Sequence, residues 1–359
     1  MRSNSTDRSA LPTVMSAAKP ANLRELSAHL RLSQTTVSFV LNNAPAASAI
    51  PEHTRNRVLE AARELQYRPN YFARSLRRRQ SMSVGVLTPD LSEGYFTSVV
   101  AGVQDRLIEE HYFYLTASHY WNPALVETYP SMLMDRGVDG FLMLNTQVSF
   151  ETDLPIVAVS AHDSRPNVTN IILDHNEAAD LALRHLYALG HRQIAVMRGP
   201  RVIPDSEPRW HAIVKVARGL GITIPRELCM VLPESSSSPE VGYRATHELL
   251  QAGGRFTALF CFNDISAIGA MAALEERGLE VPGDVSVVGF DDILNASFHR
   301  PKLTTVRQPM RRMGYVGAGL LLKRIADPQG KLPGRIVMQP ELVVRDSTAR
   351  AKKIRNAAH

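Results

Sequence analysis

Short hydrogen-bonding side chains are concentrated near the N-terminus, in the stretch LSQTTVSFVLNN at residues 32–43. Ser33 can cap a helix here, because its hydroxyl can accept from a backbone N–H two or three residues later. Val37, Val40 and Leu41 give that helix one apolar face. The groups at its N-terminal end and on its outward face could bond to base edges or phosphates; they are Ser33, Gln34, Thr35 and Ser38.

Two further helices are predicted on either side of this one. Asn22 can cap the first, in which Leu23, Leu26 and Leu30 recur at helical spacing before a tight turn at residues 30–32. The third begins at about Pro51, and one of its sides carries Thr54, Val58, Ala61, Ala62 and Leu65. Three such helices predict a small unit built around a helix-turn-helix.

Charge is distributed unevenly along the 359 residues. Residues 1–80 contain 13 Lys and Arg against 5 Asp and Glu, a net charge of +8, whereas residues 81–359 have a net charge of −2. A basic module ahead of a nearly neutral body is typical of a protein that binds nucleic acid, because neutralising phosphates supplies much of the affinity. A solvated basic tail is the alternative interpretation of the charge alone.

The rest of the chain alternates short apolar runs with helical periodicity, which predicts parallel sheets covered by helices. Ligands bind beyond the carboxyl ends of such strands, and two facing sheets would form a cleft for one small molecule. Eight strands are predicted, in SVGVLTP, FYLTAS, GFLMLN, IVAVSA, QIAVMRG, CMVLPES, ALFCFND and VSVVGFD.

Motifs for bond-making chemistry are missing from the sequence. It contains no GxGxxG that opens a helix after a strand, no P-loop, no GxSxG and no HExxH, so no cofactor and no catalytic residue are expected. Cys229 and Cys261 suggest neither a disulfide framework nor a zinc site. His119, His162 and His211 lack a second ligand at useful spacing, so no metal site is expected.

The first twenty residues lack the apolar run of a signal peptide, and nowhere do about eighteen uncharged apolar residues follow one another. We therefore expect a cytoplasmic protein with a short disordered leader.

The chain resembles the lactose-repressor/galactose-repressor (LacI/GalR) family of bacterial transcription regulators from about residue 22 to residue 348. The resemblance lies in the order and spacing of LRELSAHLRLSQTTVSFVLNN, RPNYFARSLRRRQS, SVGVLTPDLSEGYF, HLYALGHRQIAVMRG, FTALFCFNDISAIGAM, VPGDVSVVGFDD and PKLTTVRQP. It implies an all-α headpiece followed by a two-lobed α/β effector domain similar to periplasmic sugar-binding proteins. It also implies a repressor that binds a pseudo-palindromic DNA operator as a homodimer and responds to a small effector, a sugar or a sugar derivative.

The resemblance sets the expected domain boundaries. They are a leader at 1–20, a headpiece at 21–67, a hinge helix at 68–81, an effector-binding and dimerisation domain at 82–348 and a basic tail at 349–359. In the family the hinge helix enters the minor groove, where Leu76 would part a base step and Asn70 and Ala73 would lie beside it. The alternative is a basic linker that contacts nothing.

The resemblance also adds Thr36, Phe39 and Asn42 to the predicted DNA contacts. Two positions depart from the usual family pattern: Arg31 occupies a turn position that is usually glycine, and Phe39 occupies one where many members have arginine. Phenylalanine could contact a thymine methyl but could not read guanine as arginine does. Packing inside the headpiece is the alternative role for Phe39.

For the effector, the resemblance implies polar contacts from Arg209, Asn263 and Asp291. Carboxylate accepts, guanidinium donates and amide does both, which suits sugar hydroxyls. Tyr95, Phe96 and Trp121 could cover an apolar face, although Trp121 could instead serve lobe packing. Asp264 and Asp292 are expected to be structural.

Two other classes of protein would share part of this pattern. A solute-binding protein of a transport system would share the body but would need an export signal and would have no use for a basic headpiece. A sugar-processing enzyme would need a nucleophile or an acid–base pair, whereas Asp291 and Arg209 are predicted to form an ion pair.

Overall fold

The computed structural model describes residues 21–67, 80–92, 94–233 and 238–352. The chain divides into two compact units, residues 1–79 and 80–359, which are described separately. The predicted leader, most of the predicted hinge helix with Asn70, Ala73 and Leu76, and most of the tail lie outside the described residues. None of the helices in the described part of the chain has the length and hydropathy needed to cross a membrane.

The first unit contains the three predicted helices. They are α1 (Leu23–Leu30), α2 (Gln34–Leu41) and α3 (Glu52–Glu64), with a 3₁₀ helix (Pro45–Ala49) before α3. Asn22 and Ser33 cap α1 and α2 through their side chains, as predicted. Arg31 has φ 54° and so makes the left-handed turn between these helices, at a cost on the order of 1 kcal/mol relative to glycine. The buried core of the unit is formed by Leu26, Leu30, Val37, Val40, Val58 and Ala61.

The first lobe of the second unit is a six-stranded parallel sheet. Its strands are β1 (Ser83–Thr88), β2 (Phe113–Ser118), β3 (Phe141–Leu144), β4 (Ile156–Val159), β5 (Val168–Leu173) and β11 (Arg335–Met338), in the order β11-β5-β4-β3-β1-β2. Helices α4 (Gly94–Glu109), α5 (Pro123–Met134) and α11 (Met310–Ala326) pack on this sheet. The register of β1 pairs Ser83 with Phe113 and Gly85 with Phe141.

The second lobe has the same layered design. Its strands are β6 (Ile194–Arg198), β7 (Cys229–Val231), β8 (Ala258–Phe260), β9 (Ser286–Asp291), β10 (Thr304–Arg307) and β12 (Glu341–Val343), in the order β12-β10-β9-β8-β6-β7. Only the edge strand β12 runs antiparallel to its neighbour among the pairs described. Its helices are α6 (His175–Ala188), α7 (Ser206–Gly219), α8 (Pro239–Gln251), α9 (Asp264–Glu276) and the short α10 (Leu294–Phe298), with a 3₁₀ turn (Arg226–Leu228) before β7.

All eight predicted strands are present, and the structure adds β5, β10, β11 and β12. The chain passes between the lobes after β5, after β10 and after β11 within the described residues. Each lobe is therefore built from segments that are distant in the sequence.

Glycine permits a close approach between α4 and α11 in the first lobe. A Cβ at Gly102 would overlap the carbonyl oxygen of Arg311, and one at Gly314 would overlap that of Val99. Because backbone atoms cannot yield as a flexible side chain can, these positions fix how closely α4 lies against α11. The first turn of α4 carries Tyr95 and Phe96.

We therefore expect Gly102→Ala to lower the free energy of unfolding by about 1–3 kcal/mol or more, the cost typical of overpacking. Gly219→Ala is the matched control, since a Cβ there meets no atom within 4 Å and alanine favours the helix. Urea denaturation followed by circular dichroism measures both. Equal stability of the two variants would contradict the close packing.

Candidate functional site

A pocket lies between the two lobes, where the carboxyl ends of the parallel strands meet. It receives side chains from α4 after β1, from the segments after β2, β3, β6, β8 and β10, and from the end of β9. All six side chains predicted to bind the effector line it. The lining consists of Tyr95, Phe96, Trp121, Asn145, Ile203, Asp205, Arg209, Phe262, Asn263, Asp291 and Gln308.

Arg209 is the buried cation of this pocket, with only 5% of its surface exposed. Its guanidinium carbon lies 3.7 Å from the ring centroid of Phe290 and 4.6 Å from that of Phe262. Nη1 donates to the backbone oxygen of Phe262 at 2.6 Å, while Nε has no partner among the described residues. Burial lowers the pKa of Arg209, and the negative charges of Asp291 and Asp205 oppose that shift.

Asp291 ends β9 with φ 112°, a strained conformation for any residue with a Cβ. Its Oδ1 accepts from Nε2 of Gln308 at 2.6 Å. Burial raises the pKa of Asp291 to about 7, although the charge of Arg209 and the bond from Gln308 favour the carboxylate. The predicted ion pair between Arg209 and Asp291 is wrong: within the described part of the chain each has a different direct partner, and they interact only at longer range.

Asn263 has two roles, because it caps α9 as well as lining the pocket. Its Oδ1 accepts from the backbone N–H of Ser266 at 2.9 Å. The side-chain oxygen is thus engaged, which leaves the NH₂ group as the part that can donate to a ligand. The sequence did not reveal this restriction.

Hydrogen bonds and ring contacts position the aromatic side chains Tyr95, Phe96 and Trp121 of the pocket. Tyr95 donates its hydroxyl to Ser160 at 3.0 Å, and its ring lies edge-on to Phe96 at 5.1 Å. The backbone N–H of Trp121 donates to Nδ1 of His119 at 3.2 Å, so the ring proton of His119 lies on Nε2 and points to Thr146. Burial lowers the pKa of His119 to about 4, which keeps the imidazole neutral.

Sequence reasoning missed a cluster of His162, His175 and Asp205 beside the pocket. Nε2 of His162 and Nε2 of His175 lie 2.6 and 3.1 Å from Oδ1 of Asp205. Burial raises the pKa of Asp205, but the attraction of His175 and the bond from His162 outweigh it and hold that pKa well below its usual range. The cluster was not predicted because β5 was not recognised as a strand, and His175 follows the carboxyl end of that strand.

The structure leaves several predicted DNA contacts accessible on α2. Ser33, Gln34, Thr35 and Asn42 are exposed. Thr36 is half-buried, and its hydroxyl lies 2.8 Å from that of Ser33. These positions remain predictions as DNA contacts.

Ser38 and Phe39 differ from those neighbours. Ser38 is buried and its hydroxyl accepts from Nδ2 of Asn42 at 3.2 Å, an internal contact. Phe39 is half-buried and is not among the side chains packed on the headpiece core, which favours an outward role for the ring.

Asp264 and Asp292 make internal contacts, as predicted. Asp264 is fully buried and accepts from the N–H of Ile293 at 2.8 Å and the hydroxyl of Thr305 at 2.6 Å. Asp292 pairs with Arg307 and Arg345. Both cysteines are free.

Comparisons with known proteins agree with this architecture. Residues 31–70 match the family model for bacterial regulatory proteins of the lacI family, and residues 183–348 match that for a periplasmic binding protein-like domain. Over 338 residues the chain is 31% identical to the HTH-type transcriptional repressor PurR of Escherichia coli O1:K1 / APEC, covering 92% of this chain and 97% of that repressor. The chain belongs to the LacI family of bacterial regulatory proteins. It is a DNA-binding transcriptional repressor controlled by a small effector, and not an enzyme.

Solved structures of LacI-family proteins share the fold. The Lac repressor dimer bound to operator and the anti-inducer ONPF is 28% identical, with a TM-score of 0.80 over 92% of this chain and all of that chain. A LacI family regulator from Enterococcus faecium with bound ribose is 29% identical, with a TM-score of 0.66 over 75% of this chain and all of that chain. The predicted fold class, a helix-turn-helix headpiece with two α/β lobes, is confirmed.

Asp291 gives the ligand-free protein a specific pH dependence. Its pKa is about 7 in the native protein and near 3.8 in an unfolded chain, so between these values the native state binds more protons. Stability must therefore fall as the pH rises through this window, on the order of a few kcal/mol for a shift of this size. We expect Asp291→Asn to lose less thermal stability than the unaltered protein between pH 5 and pH 8.

Differential scanning fluorimetry across that pH range tests this expectation. Asp135→Asn removes an exposed carboxylate at the end of α5 and should retain the unaltered profile. Parallel profiles for Asp291→Asn and the unaltered protein would show that Asp291 does not titrate in this window.

Proposed function

We propose that the effector is a small polyhydroxylated molecule, a sugar or sugar derivative, bound in the pocket between the lobes. Arg209, Asn263 and Asp291 would hold its hydroxyls, and Tyr95, Phe96 and Trp121 would cover its apolar face. The observation that carries this proposal is the meeting of all six side chains in one pocket, although they come from five separate segments.

Unmade hydrogen bonds around the pocket support a ligand that both donates and accepts. Nε of Arg209 is a buried donor without a partner, and Oδ1 of Asn145 and Oε1 of Gln308 are buried acceptors without one, among the described residues. Leaving such a group unpaired costs about 1–3 kcal/mol, so a ligand that satisfies all three gains this energy. A hydroxyl is suited to both kinds of partner, since it donates one hydrogen bond and accepts two.

The ionisation of Asp291 fits the same class of ligand. Its carboxylate can accept from two sugar hydroxyls, whereas its protonated form can accept fewer and also donates. Arg209 stacks on two aromatic rings, which fixes the plane of its guanidinium and hence the direction of its free donor.

Two relatives of known structure point to the same partners. One is a repressor dimer on operator DNA, and the other holds ribose. We infer for this chain a homodimer on a pseudo-palindromic operator, read in the major groove by α2. The predicted contacts are Ser33, Gln34, Thr35, Thr36, Ser38, Phe39 and Asn42, with Asn70, Ala73 and Leu76 in the minor groove.

Effector and operator would be coupled through a two-state change. The pocket draws its lining from both lobes, so a ligand that contacts both favours one relative position of the lobes over another. In the family scheme this position sets the spacing of the two hinge segments in the dimer. A ligand shifts the equilibrium only by the difference in its affinity for the two states.

Thermal-shift screening of the purified full-length protein against pentoses, hexoses, their phosphates and nucleosides tests the effector class. We expect a sugar or sugar derivative to raise the melting temperature, because a ligand that binds only the native state stabilises it by about 3 kcal/mol at a hundred times its dissociation constant. Because a nucleoside contains a pentose, stabilisation by nucleosides but by none of the pentoses, hexoses or their phosphates would place recognition on the base, and would overturn the sugar proposal while leaving the pocket intact.

Arg209→Gln keeps a donor at about the position of Nε but removes the charge and the fixed fork. It should weaken the binding free energy of the effector found in the screen by about 1–3 kcal/mol, as measured by calorimetry. Arg192→Ala, which removes an arginine stacked on Tyr187 outside the pocket, is the control and should bind as the unaltered protein does. If Arg209→Gln and the control bind the effector with equal affinity, Arg209 does not contact the effector.

Phe39 provides a test of DNA reading. If its ring faces the major groove, Phe39→Arg should shift the preferred base toward guanine at one symmetric position in each half-site, by about 1–3 kcal/mol of discrimination. Selection of operators from a randomised library measures the preference, and circular dichroism checks the headpiece. An unchanged preference in a folded variant would place Phe39 away from the bases.

A further inference from the structure

The cluster of His162, His175 and Asp205 has a composition that hydrogen bonding alone does not explain. One ligand atom from each residue lies within 4.8 Å of the other two. Two imidazoles and one carboxylate are a typical ligand set for divalent first-row transition metals, since imidazole suits zinc, copper, iron and nickel. The LacI-family effector site proposed above uses Asp205 only as part of its wall and leaves both histidines unassigned.

His175 is the member whose environment most clearly points to a ligand. It is 6% exposed, and neither of its ring nitrogens makes a hydrogen bond with the described residues. Its Nε2 lies 3.1 Å from Oδ1 of Asp205, which is close enough for charge attraction but lacks hydrogen-bond geometry. A buried imidazole with both nitrogens unmatched is costly unless something else binds it.

The two distances from Asp205 are close to those between ligands of a coordinated ion. With metal bonds of about 2.0–2.1 Å, two ligand atoms of a tetrahedral site lie roughly 3.3 Å apart. The separations of 3.1 Å and 2.6 Å from Asp205 would therefore have to widen by less than about 1 Å, and the two imidazole nitrogens, which lie within 4.8 Å of each other, would have to approach by up to about 1.5 Å. His162 can make this adjustment, because 28% of its side chain is exposed and its ring stacks on His175 at 6.2 Å.

The three residues also come from both lobes. His162 follows β4 of the first sheet, His175 begins α6 where the chain has left β5 for the second lobe, and Asp205 follows β6 of the second sheet. An ion held by all three would join the two lobes directly. Three protein ligands leave at least one coordination position for another oxygen, and Asp205 lines the pocket in which an effector hydroxyl could supply it.

We propose that His162, His175 and Asp205 bind a divalent transition metal ion of the zinc type in the wall of the effector pocket. The ion fastens the two lobes together and offers its open position to the effector. This site does not depend on the effector's being a sugar, because all three protein ligands are present without one.

Isothermal titration of the full-length protein with zinc chloride tests the proposal, after purification without a histidine tag and removal of metal by a chelator. We expect one zinc ion per protomer, no binding of magnesium, and visible absorption bands when cobalt is used instead. Asp205→Asn and His162→Ala should each lower the affinity for zinc by at least about tenfold. Even the loss of a residue that only hydrogen-bonds to a metal ligand typically lowers affinity by this much. His175→Ala should do the same, provided that circular dichroism shows it folded.

His211→Ala is the matched control, because His211 lies on α7 a short distance along the chain from Asp205 but is exposed. It should bind zinc as the unaltered protein does. The proposal is overturned if the unaltered protein takes up no zinc, if magnesium binds as well as zinc, or if His162→Ala retains full affinity. Because the side chain of His162 is partly exposed, His162→Ala is expected to fold even if His175→Ala does not.

Discussion

The buried charge of Arg209 is the constraint around which the pocket is arranged. A guanidinium removed from water is tolerated only where rings, carbonyl oxygens and carboxylates replace the lost hydration. Phe262 and Phe290 supply the rings, a carbonyl oxygen takes one donor, and Asp291 and Asp205 supply opposite charge at longer range. Because the cation has few direct bonds, the pocket keeps polar capacity for a ligand.

The topology explains how such a pocket can act as a switch. Both sheets present the carboxyl ends of their strands to the same space, and the chain crosses between the lobes after β5, β10 and β11. Each lobe has its own close helix contacts, such as Gly102 against Arg311 in the first and Gly269 against Pro239 in the second. Such contacts leave each lobe little room to deform internally, so a ligand that contacts both lobes can act on their relative position.

Local patterns predicted most of this architecture, and long-range contacts account for what they missed. Asn22 and Ser33 act as caps through bonds within one turn, which a short sequence can specify. β5 escaped detection because VTNIIL places Thr169 and Asn170 inside a buried strand, where their polar groups bond to Pro333 and Asp163 far along the chain or across a loop. The family resemblance identified Arg209, Asn263 and Asp291. It did not reveal that the side-chain oxygen of Asn263 caps α9.

The environment of Asp205 shows why the charge of a buried carboxyl group in this pocket cannot be assigned from residue type alone. Asp205 and Asp291 are both buried carboxylates near Arg209, yet their pKa values shift in opposite directions. Burial disfavours the charge of each, but two imidazoles converge on Asp205, whereas Asp291 has one neutral amide and a more distant cation. The pocket therefore holds one permanent negative charge and one that changes near neutral pH. Any ligand that brings positive charge to the pocket, or hydroxyls that donate to Asp291, draws the second carboxyl into its ionised form.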